Sequence, residues 1–457
     1  MPIKRLLIAN RGEIAVRIHH AAKALGMTTI QTYSEADADM LAVRLADEAA
    51  LIGPPHPSKS YLNIEAIIAA AKDAKADAIH PGYGFLSENA DFAEAVQRAS
   101  LVFVGPDADT IRQLGDKVTA RRVAAAADVP TVPGSDGGLD DVVRAKVVAA
   151  SVGYPVMIKA SAGGGGRGIR IAENAADLEH HFSQAAGEAK AAFGDGRLYL
   201  EKLIRNARHV EVQVLGDGER AVHCFERECS LQRRRQKVWE EAPAAVLGPE
   251  TREKLCASSI ALAESVGYRG AGTLEYLYDE TSGEFYFIEM NTRIQVEHPV
   301  TEVVTSIDLV QEMLKIAGGN RLSLMQPDIS LRGHAIEVRI NAEDPANNFL
   351  PFPGVVDGLE VPAGEGIRFD TMLYHGYAIP PFYDSLLGKL IVSGDTREAA
   401  LDRLEVALST LKISGLPTTT LLHQALVRDR DVRAGRFHTQ FLEPWIEAHP
   451  LTPGPGA

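Results

Sequence analysis

Between Ile3 and Tyr33 the chain switches from one hydrophobic period to another and back, which constrains the fold more than any other feature of the sequence. Ile3 to Ala9 is a short apolar run of strand length. Ile14, Ile18, Ala21, Ala22 and Leu25 then recur at helical spacing until Gly26, and Met27 to Tyr33 supplies a second strand. A strand, helix, strand order of this length closes as a parallel pair with a right-handed crossover. Further strands at Ala78 to His80 and Leu101 to Val104 extend it into a doubly wound α/β sheet, placed at residues 1–114.

The later pattern is different. After a Pro- and Gly-rich loop from Val129 to Gly138, a strand at Tyr154 to Ala160 and one at Gly168 to Ala172 flank a glycine run, which predicts a hairpin-like flap. Residues 115–203 form this lobe. Long strands follow, including Val210 to Leu215 and the pair Thr273 to Tyr278 and Glu284 to Met290, and these define a central domain over 204–330. Another sheet opens at Gly333 to Ala342. A helix from Arg397 to Leu411, with Leu401, Leu404, Leu408 and Leu411 turned inward, completes a C-terminal domain over 331–447.

A net charge of −14 argues against nucleic acid or anionic lipid as a partner, since both call for clustered cations. No run approaches the length of a spanning helix. Cys224, Cys229 and Cys256 are too few and too irregular for a disulfide framework or a four-ligand zinc site, and Cys229 reads as a small core residue. The expected setting is a cytoplasmic one.

Lys159 opens the glycine run, and Gly163 to Gly166 can turn successive backbone N–H groups toward one anion without Cβ obstruction. A P-loop would continue into Lys and Ser or Thr and then a helix; here Gly168 leads to Ile169 and a strand, so that motif is rejected. A flexible hairpin tip is the bland alternative. A flap that closes over a nucleotide triphosphate would exclude water during phosphoryl transfer.

In EMNTRIQVEHPVTE, the residues Glu289, Asn291, Arg293, Gln295 and Glu297 alternate at period two and are expected to share one face of a strand. A hairpin centred near Ser282 sets Glu275 opposite Glu289. Opposed like charges destabilise a sheet, so a hard divalent cation, Mg²⁺ or Mn²⁺, is the natural compensation. Solvent-facing salt bridges are the alternative.

Upstream, Arg233, Arg234, Arg235 and Lys237 crowd together between Glu226, Glu228, Glu240 and Glu241, which is ordinarily a solvated charge run. Lys237 is the candidate for function. In HAIEVRINAE, Ile336, Val338 and Ile340 share one face with His334, and Arg339 points away from the core with Glu337 and Glu343. Its guanidinium suits an oxyanion; a structural ion pair with Glu337 or Glu343 fits the pattern equally well.

Taken together, IANRGEIA at Ile8, HPGYGFLSEN at His80, the glycine flap, EMNTRIQVEHPVTE at Glu289 and RINAEDP at Arg339 make the chain from Leu6 to about Trp445 resemble the biotin carboxylases, within the ATP-grasp superfamily. The resemblance implies a Rossmann-like N-terminal domain, an ATP-grasp lid and central domain, a C-terminal domain, and a homodimer. It assigns Lys117, Lys159, Gly165, Gly166, Glu201, Lys202, His209 and Gln232 to ATP. By the same route Glu275, Glu289 and Asn291 would hold two Mg²⁺ or Mn²⁺ ions. Lys237, Arg293, Gln295 and Val296 would bind bicarbonate, Glu297 would be the general base, and Arg339 would stabilise the biotin enolate.

Two positions depart from the family pattern. Arg235 stands where the family has a His that contacts ATP, and Ala162 replaces the first flap glycine. The implied activity is ATP-dependent carboxylation of biotin by bicarbonate through carboxyphosphate, the first half-reaction of acetyl-CoA carboxylase, as in fatty acid biosynthesis, or of a related enzyme. No biotin-attachment segment or carboxyltransferase domain is evident, so the biotin carboxyl carrier protein and carboxyltransferase are expected on separate chains. Two rival readings are another ATP-grasp carboxylate ligase and a catalytically silent nucleotide-binding scaffold.

Overall fold

The computed structural model describes residues 2–160, 169–193 and 195–451. Its N-terminal sheet is parallel throughout and built from β1 (Arg5–Ile8), β2 (Thr28–Ser34), β3 (Glu48–Gly53), β4 (Ala78–His80) and β5 (Val102–Phe103) in the order β3-β2-β1-β4-β5. The first crossover is the helix Gly12–Ala24, whose Ile14, Ala15, Ile18, Ala21 and Ala22 are buried, as their spacing requires. Strand order reverses at β1 and β4, and a crevice outside the carboxyl ends of the strands is where an open α/β sheet binds ligands. The Asn10 amide ties those two ends together by donating to the carbonyls of Pro81 (2.6 Å) and Tyr83 (2.8 Å).

β6 (Val156–Ala160), β7 (Arg170–Ala172) and β8 (Leu198–Lys202) form a separate three-stranded antiparallel sheet in the order β7-β6-β8. The predicted flap hairpin is therefore present, Val156 pairing with Ala172 and Ile158 with Arg170. Its tip, with Ala162, Gly165 and Gly166, lies outside the described residues.

The third sheet carries the site. It runs β13 (Glu284–Asn291), β12 (Arg269–Asp279), β9 (Arg208–Asp217), β10 (Ala221–Arg233), β11 (Gln236–Ala242) and β14 (His334–Asn341), then the strands Leu386–Gly394 and Ile367–Thr371. Because β11 pairs with β14, with Trp239 opposite Val338 and Glu240 opposite Glu337, one sheet continues across residue 331. On β9, Val210, Val212 and Val214 pack with Leu255 and Leu262 of the helix Pro249–Ser265, leaving His209, Glu211 and Gln213 on the opposite face. That face is also buried, so the alternation divides an apolar core from a polar interior rather than from water. The helix Arg397–Thr410 buries Leu401, Leu404 and Leu408 against Leu390 and Val392.

Candidate functional site

A lateral row of charge crosses four strands. Arg227 on β10 pairs with Glu211 on β9, Glu211 with Glu275 on β12, and Glu275 with Glu289 on β13. The last pairing has a specific cause. From Asp279↔Glu284 to Tyr276↔Phe287 the hairpin keeps one register, which would set Ile288 opposite Glu275; a bulge at Ile288 advances it by one residue and brings Glu289 there instead. Centring the hairpin near Ser282 gives the correct pair, but the unbulged ladder is centred between Thr281 and Ser282, and the bulge supplies the difference.

Three carboxylates in one row need cations. Arg227, wholly buried, donates to Glu211 Oε1 at 2.6 Å and to Gln213, Thr301, Thr273 and Gln295. Lys237 reaches in from β11 and donates to Glu211 Oε2 (2.5 Å), Glu275 Oε1 (2.9 Å) and Glu297 Oε1 (2.7 Å). His209 Nε2 lies 3.1 Å from Glu275 Oε2. Burial pulls the His209 imidazole down, but the Glu275 and Glu211 carboxylates override it and raise its pKa to about 9. Glu275 stays well below the usual carboxylate range, because Lys237 and His209 outweigh its burial. Glu289 sits at the open end of the row, with the Lys117 ammonium at 3.6 Å.

The strand expected to carry five site residues stops at Asn291. A turn follows, then the helix His298–Thr305 with Glu297 at its N-cap, so Arg293, Gln295 and Glu297 do not share a strand face. Asn291 and Gln295 both donate to Glu275 Oε1 (2.9 and 2.8 Å) and Arg293 donates to Asn291 Oδ1 (3.0 Å), which gathers them around one carboxylate by hydrogen bonding instead. Arg293 is also held by Glu88 of the N-terminal domain at 2.9 Å.

Arg339 corrects a second expectation. The polar face of β14 lines the site rather than pointing outward, with Glu337 fully buried. Arg339 pairs with neither Glu337 nor Glu343; it donates to Glu240 Oε1 (2.7 Å) and Glu297 Oε2 (3.1 Å). Glu297 thus lies between an ammonium and a guanidinium. Burial pushes its carboxyl up, but Lys237, then Arg339 and Arg227, outweigh burial and Glu211 and leave it below its ordinary pKa, ionised and ready to accept a proton. Val296 offers its carbonyl to the wholly buried Lys389 at 2.8 Å.

The charge run of β10 and β11 is likewise only partly solvated. Arg234 and Arg235, at φ 48° and 66°, form the exposed tip of a two-residue hairpin, whereas Glu226, Glu228, Glu240 and Glu241 are buried. Gln232 donates to the Cys229 carbonyl (2.8 Å), and Cys229 is a buried thiol, as expected. In the lobe, Lys159 and Arg121 both pair with Glu201, and Lys202 donates to the carbonyls of Gly153 (2.9 Å) and Tyr154 (3.1 Å).

Two cavities bracket this constellation. One, of about 640 Å³, lies between the carboxyl ends of β1 and β4 and the site sheet, and is lined by Glu13, Tyr83, Lys237, Arg293, Val296 and Arg339 among others. The second, of about 710 Å³, lies beside Lys117, Arg121, Ala160 and Tyr199.

Pattern reading missed Glu211, Arg227, Glu240 and Glu88. The first was available: His209, Glu211 and Gln213 alternate with Val210, Val212 and Val214, a polar face inside a strand of buried length. Arg227 and Glu240 carry no such mark, because each lies in a segment dense with charge.

A doubly wound parallel domain, an antiparallel lobe whose hairpin carries a glycine run, and a sheet lined with carboxylates and cations together define an ATP-grasp enzyme. Residues 2–111 match the biotin carboxylase N-terminal domain, 116–325 the ATP-binding domain of the carbamoyl-phosphate synthase L chain, and 337–444 the biotin carboxylase C-terminal domain. The chain belongs to the biotin carboxylase family. It is 53% identical to the biotin carboxylase of Haemophilus influenzae over 443 residues, 96% of this chain and 98% of that protein. A crystal structure of a biotin carboxylase–βγ-ATP complex from Campylobacter jejuni is 48% identical, with a TM-score of 0.91 over 97% of this chain and 99% of that one. The biotin carboxylase domain of a thermophilic 2-oxoglutarate carboxylase bound to bicarbonate is 46% identical, with a TM-score of 0.94 over 99% of this chain and 100% of that one.

Proposed function

We propose that this chain uses Mg-ATP and bicarbonate to carboxylate biotin borne on a separate carrier protein, as the first half-reaction of acetyl-CoA carboxylase or a related biotin-dependent carboxylase. The observation that carries the reading is the placing of Glu297 between Lys237 and Arg339, both of which line a cavity together with Arg293.

Glu297 removes the bicarbonate proton, and the freed oxygen attacks the γ-phosphorus of ATP to give carboxyphosphate and ADP. Lys237 and Arg293 offset the repulsion between the two anions, and Gln295 and the Val296 backbone orient bicarbonate. Carboxyphosphate breaks down to CO₂ and phosphate, phosphate takes the ureido proton of biotin, and Arg339 stabilises the resulting enolate as it attacks CO₂.

Lys117, Lys159, Glu201, Lys202, His209 and Gln232, with Gly165 and Gly166 of the flap, surround ATP in this reading, and Arg235 of the hairpin tip meets its phosphate oxygens. The donor set suits a hard cation: Glu275 and Glu289 are neighbours in the ladder and Glu289 has an open, half-exposed carboxylate. Glu275, Glu289 and Asn291 would hold Mg²⁺ or Mn²⁺ there. Bound, the metal would neutralise phosphate charge and orient the γ-phosphoryl group.

We assign four functional segments, 1–114, 115–203, 204–330 and 331–447, and a homodimer in the cytoplasm with carrier and carboxyltransferase on other chains. Among the described residues, no helix is long and apolar enough to cross a membrane. ADP release that requires bicarbonate and rises with free biotin tests the activity. ATP cleavage indifferent to bicarbonate would favour a different ligase.

A further inference from the structure

β11 and β14 set Glu240 directly opposite Glu337, and both side chains have no exposed surface. Arg339 takes Glu240 Oε1, but Glu240 Oε2 and both Glu337 oxygens have no hydrogen-bond partner among the described residues. Two adjacent anions in a buried site repel strongly, and an unpaired buried charge is avoided by neutralisation.

The surrounding charges do not supply the deficit. Around Glu337 stand Lys389 on the strand Leu386–Gly394, Arg339 on β14 itself and Glu297 at the N-cap of the helix His298–Thr305, with His298 beside Lys389, while Cys229 on β10 and Lys237 on β11 face Glu240. Lys237 already serves Glu211, Glu275 and Glu297. Lys389 serves Glu13 (3.2 Å) and the Val296 carbonyl (2.8 Å). Among these described residues Arg339 is left, and it divides itself between Glu240 and Glu297.

We propose that Glu240 and Glu337 hold one proton between them and together act as a positioning pair for Arg339 in the biotin half of the reaction. This rests on the biotin carboxylase reading of the site. Burial, and beyond it the Glu240 charge, drives the Glu337 carboxyl well up against the pull of Lys389 and Arg339. Burial raises Glu240 as well, with Arg339 opposing it. The shared proton stays on the pair through turnover. With it in place, the pair carries one negative charge, enough to orient Arg339 while leaving its guanidinium free to face Glu297 and an enolate. When rising pH removes the proton, a second anion draws Arg339 toward β11 and the biotin-dependent rate falls.

The test uses the full chain with Mg-ATP, bicarbonate and free biotin, following ATP cleavage with and without biotin across pH. In E337Q the pair can no longer lose that proton, so the alkaline fall of the biotin-dependent rate is expected to move up by about one pH unit or more. E337D, which keeps a titratable carboxyl, retains a wild-type fall. E240Q removes an anchor of Arg339 and lowers the ratio of biotin-dependent to biotin-free rate by about tenfold. Superimposable profiles for E337Q and wild type overturn the proposal, as does an E240Q ratio equal to wild type.

A second readout needs no activity. The wild-type minus E337Q infrared difference at neutral pH is expected to contain a protonated-carboxyl band, and its absence overturns the proposal. If E337Q does not fold, subtraction of E337D replaces it, with a displaced band expected and an unchanged spectrum contradictory. A wild-type chain without bicarbonate-dependent ATP cleavage would defeat the functional reading, while the infrared band still decides the shared proton.

Discussion

The Lys237 ammonium lies 2.7 Å from Glu297 Oε1, while the guanidinium of Arg339 lies 3.1 Å from Oε2 of the same carboxylate. The base and the two cations that serve the two halves of the proposed reaction thus form one connected unit. Bicarbonate entering beside Glu297 would meet a carboxylate already ionised, with positive charge on both sides.

Replacing Glu297 with Gln keeps the volume and removes the proposed base. Bicarbonate-dependent ATP cleavage is expected to fall by about 10² to 10⁴-fold, the range of a lost general base. Steady-state ADP release at saturating bicarbonate checks it, and a loss under fivefold would be too small for that role.

Lys237 also stabilises the fold. In Lys237→Met the carboxylates Glu211, Glu275 and Glu297 lose their shared partner, and breaking a buried pair in this way costs about 3–5 kcal/mol. Denaturant unfolding should show that loss. Added Mg²⁺ is expected to restore part of it, since a divalent cation can replace the missing charge beside Glu275.

Glu289 stands at the half-exposed end of the acidic row, with Lys117 beside it at 3.6 Å. Glu289→Gln is therefore expected to leave the core packing alone and, at the proposed metal site, to weaken metal binding. The Mg²⁺ concentration for half-maximal ATP cleavage is expected to rise about tenfold or more, with the fold unchanged by circular dichroism.

Acid sensitivity follows from buried neutral histidines. His423 lies against the Arg339 carbonyl at 2.8 Å, and burial lowers its pKa to about 4, the carbonyl contact opposing only in part. Burial, with Arg17 adding to it, lowers that of His80 to about 3. A histidine depressed in the folded state stabilises it above the unfolded pKa, and that contribution is lost as pH falls from about 6.5 toward the folded value. Between pH 7 and 5 each costs about 2 kcal/mol. His423→Gln should flatten the measured pH dependence of unfolding free energy by about that amount.

How far the sequence reaches depends on whether a feature is local. The parallel N-terminal sheet was legible because each strand and the helix Gly12–Ala24 announce themselves by their own period. The pairing of Glu275 with Glu289 was legible as an outcome but not as a cause, since nothing in EFYFIEMN marks Ile288 as a bulge. The end of β13 at Asn291 was missed because alternating polar residues continue through the turn to Glu297. The partners of Arg339 were beyond reach: Glu240 is 99 residues away and reaches it through the β11–β14 pairing, which links segments read as separate domains.

The most direct test of the whole account is transfer of label from ¹⁴C-bicarbonate to biotin by the purified chain with Mg-ATP. Acid-labile label on free biotin, formed in step with ADP and absent when ATP, Mg²⁺ or biotin is omitted, is the expected result. ADP formed without labelled biotin, or formed equally well without bicarbonate, would contradict it.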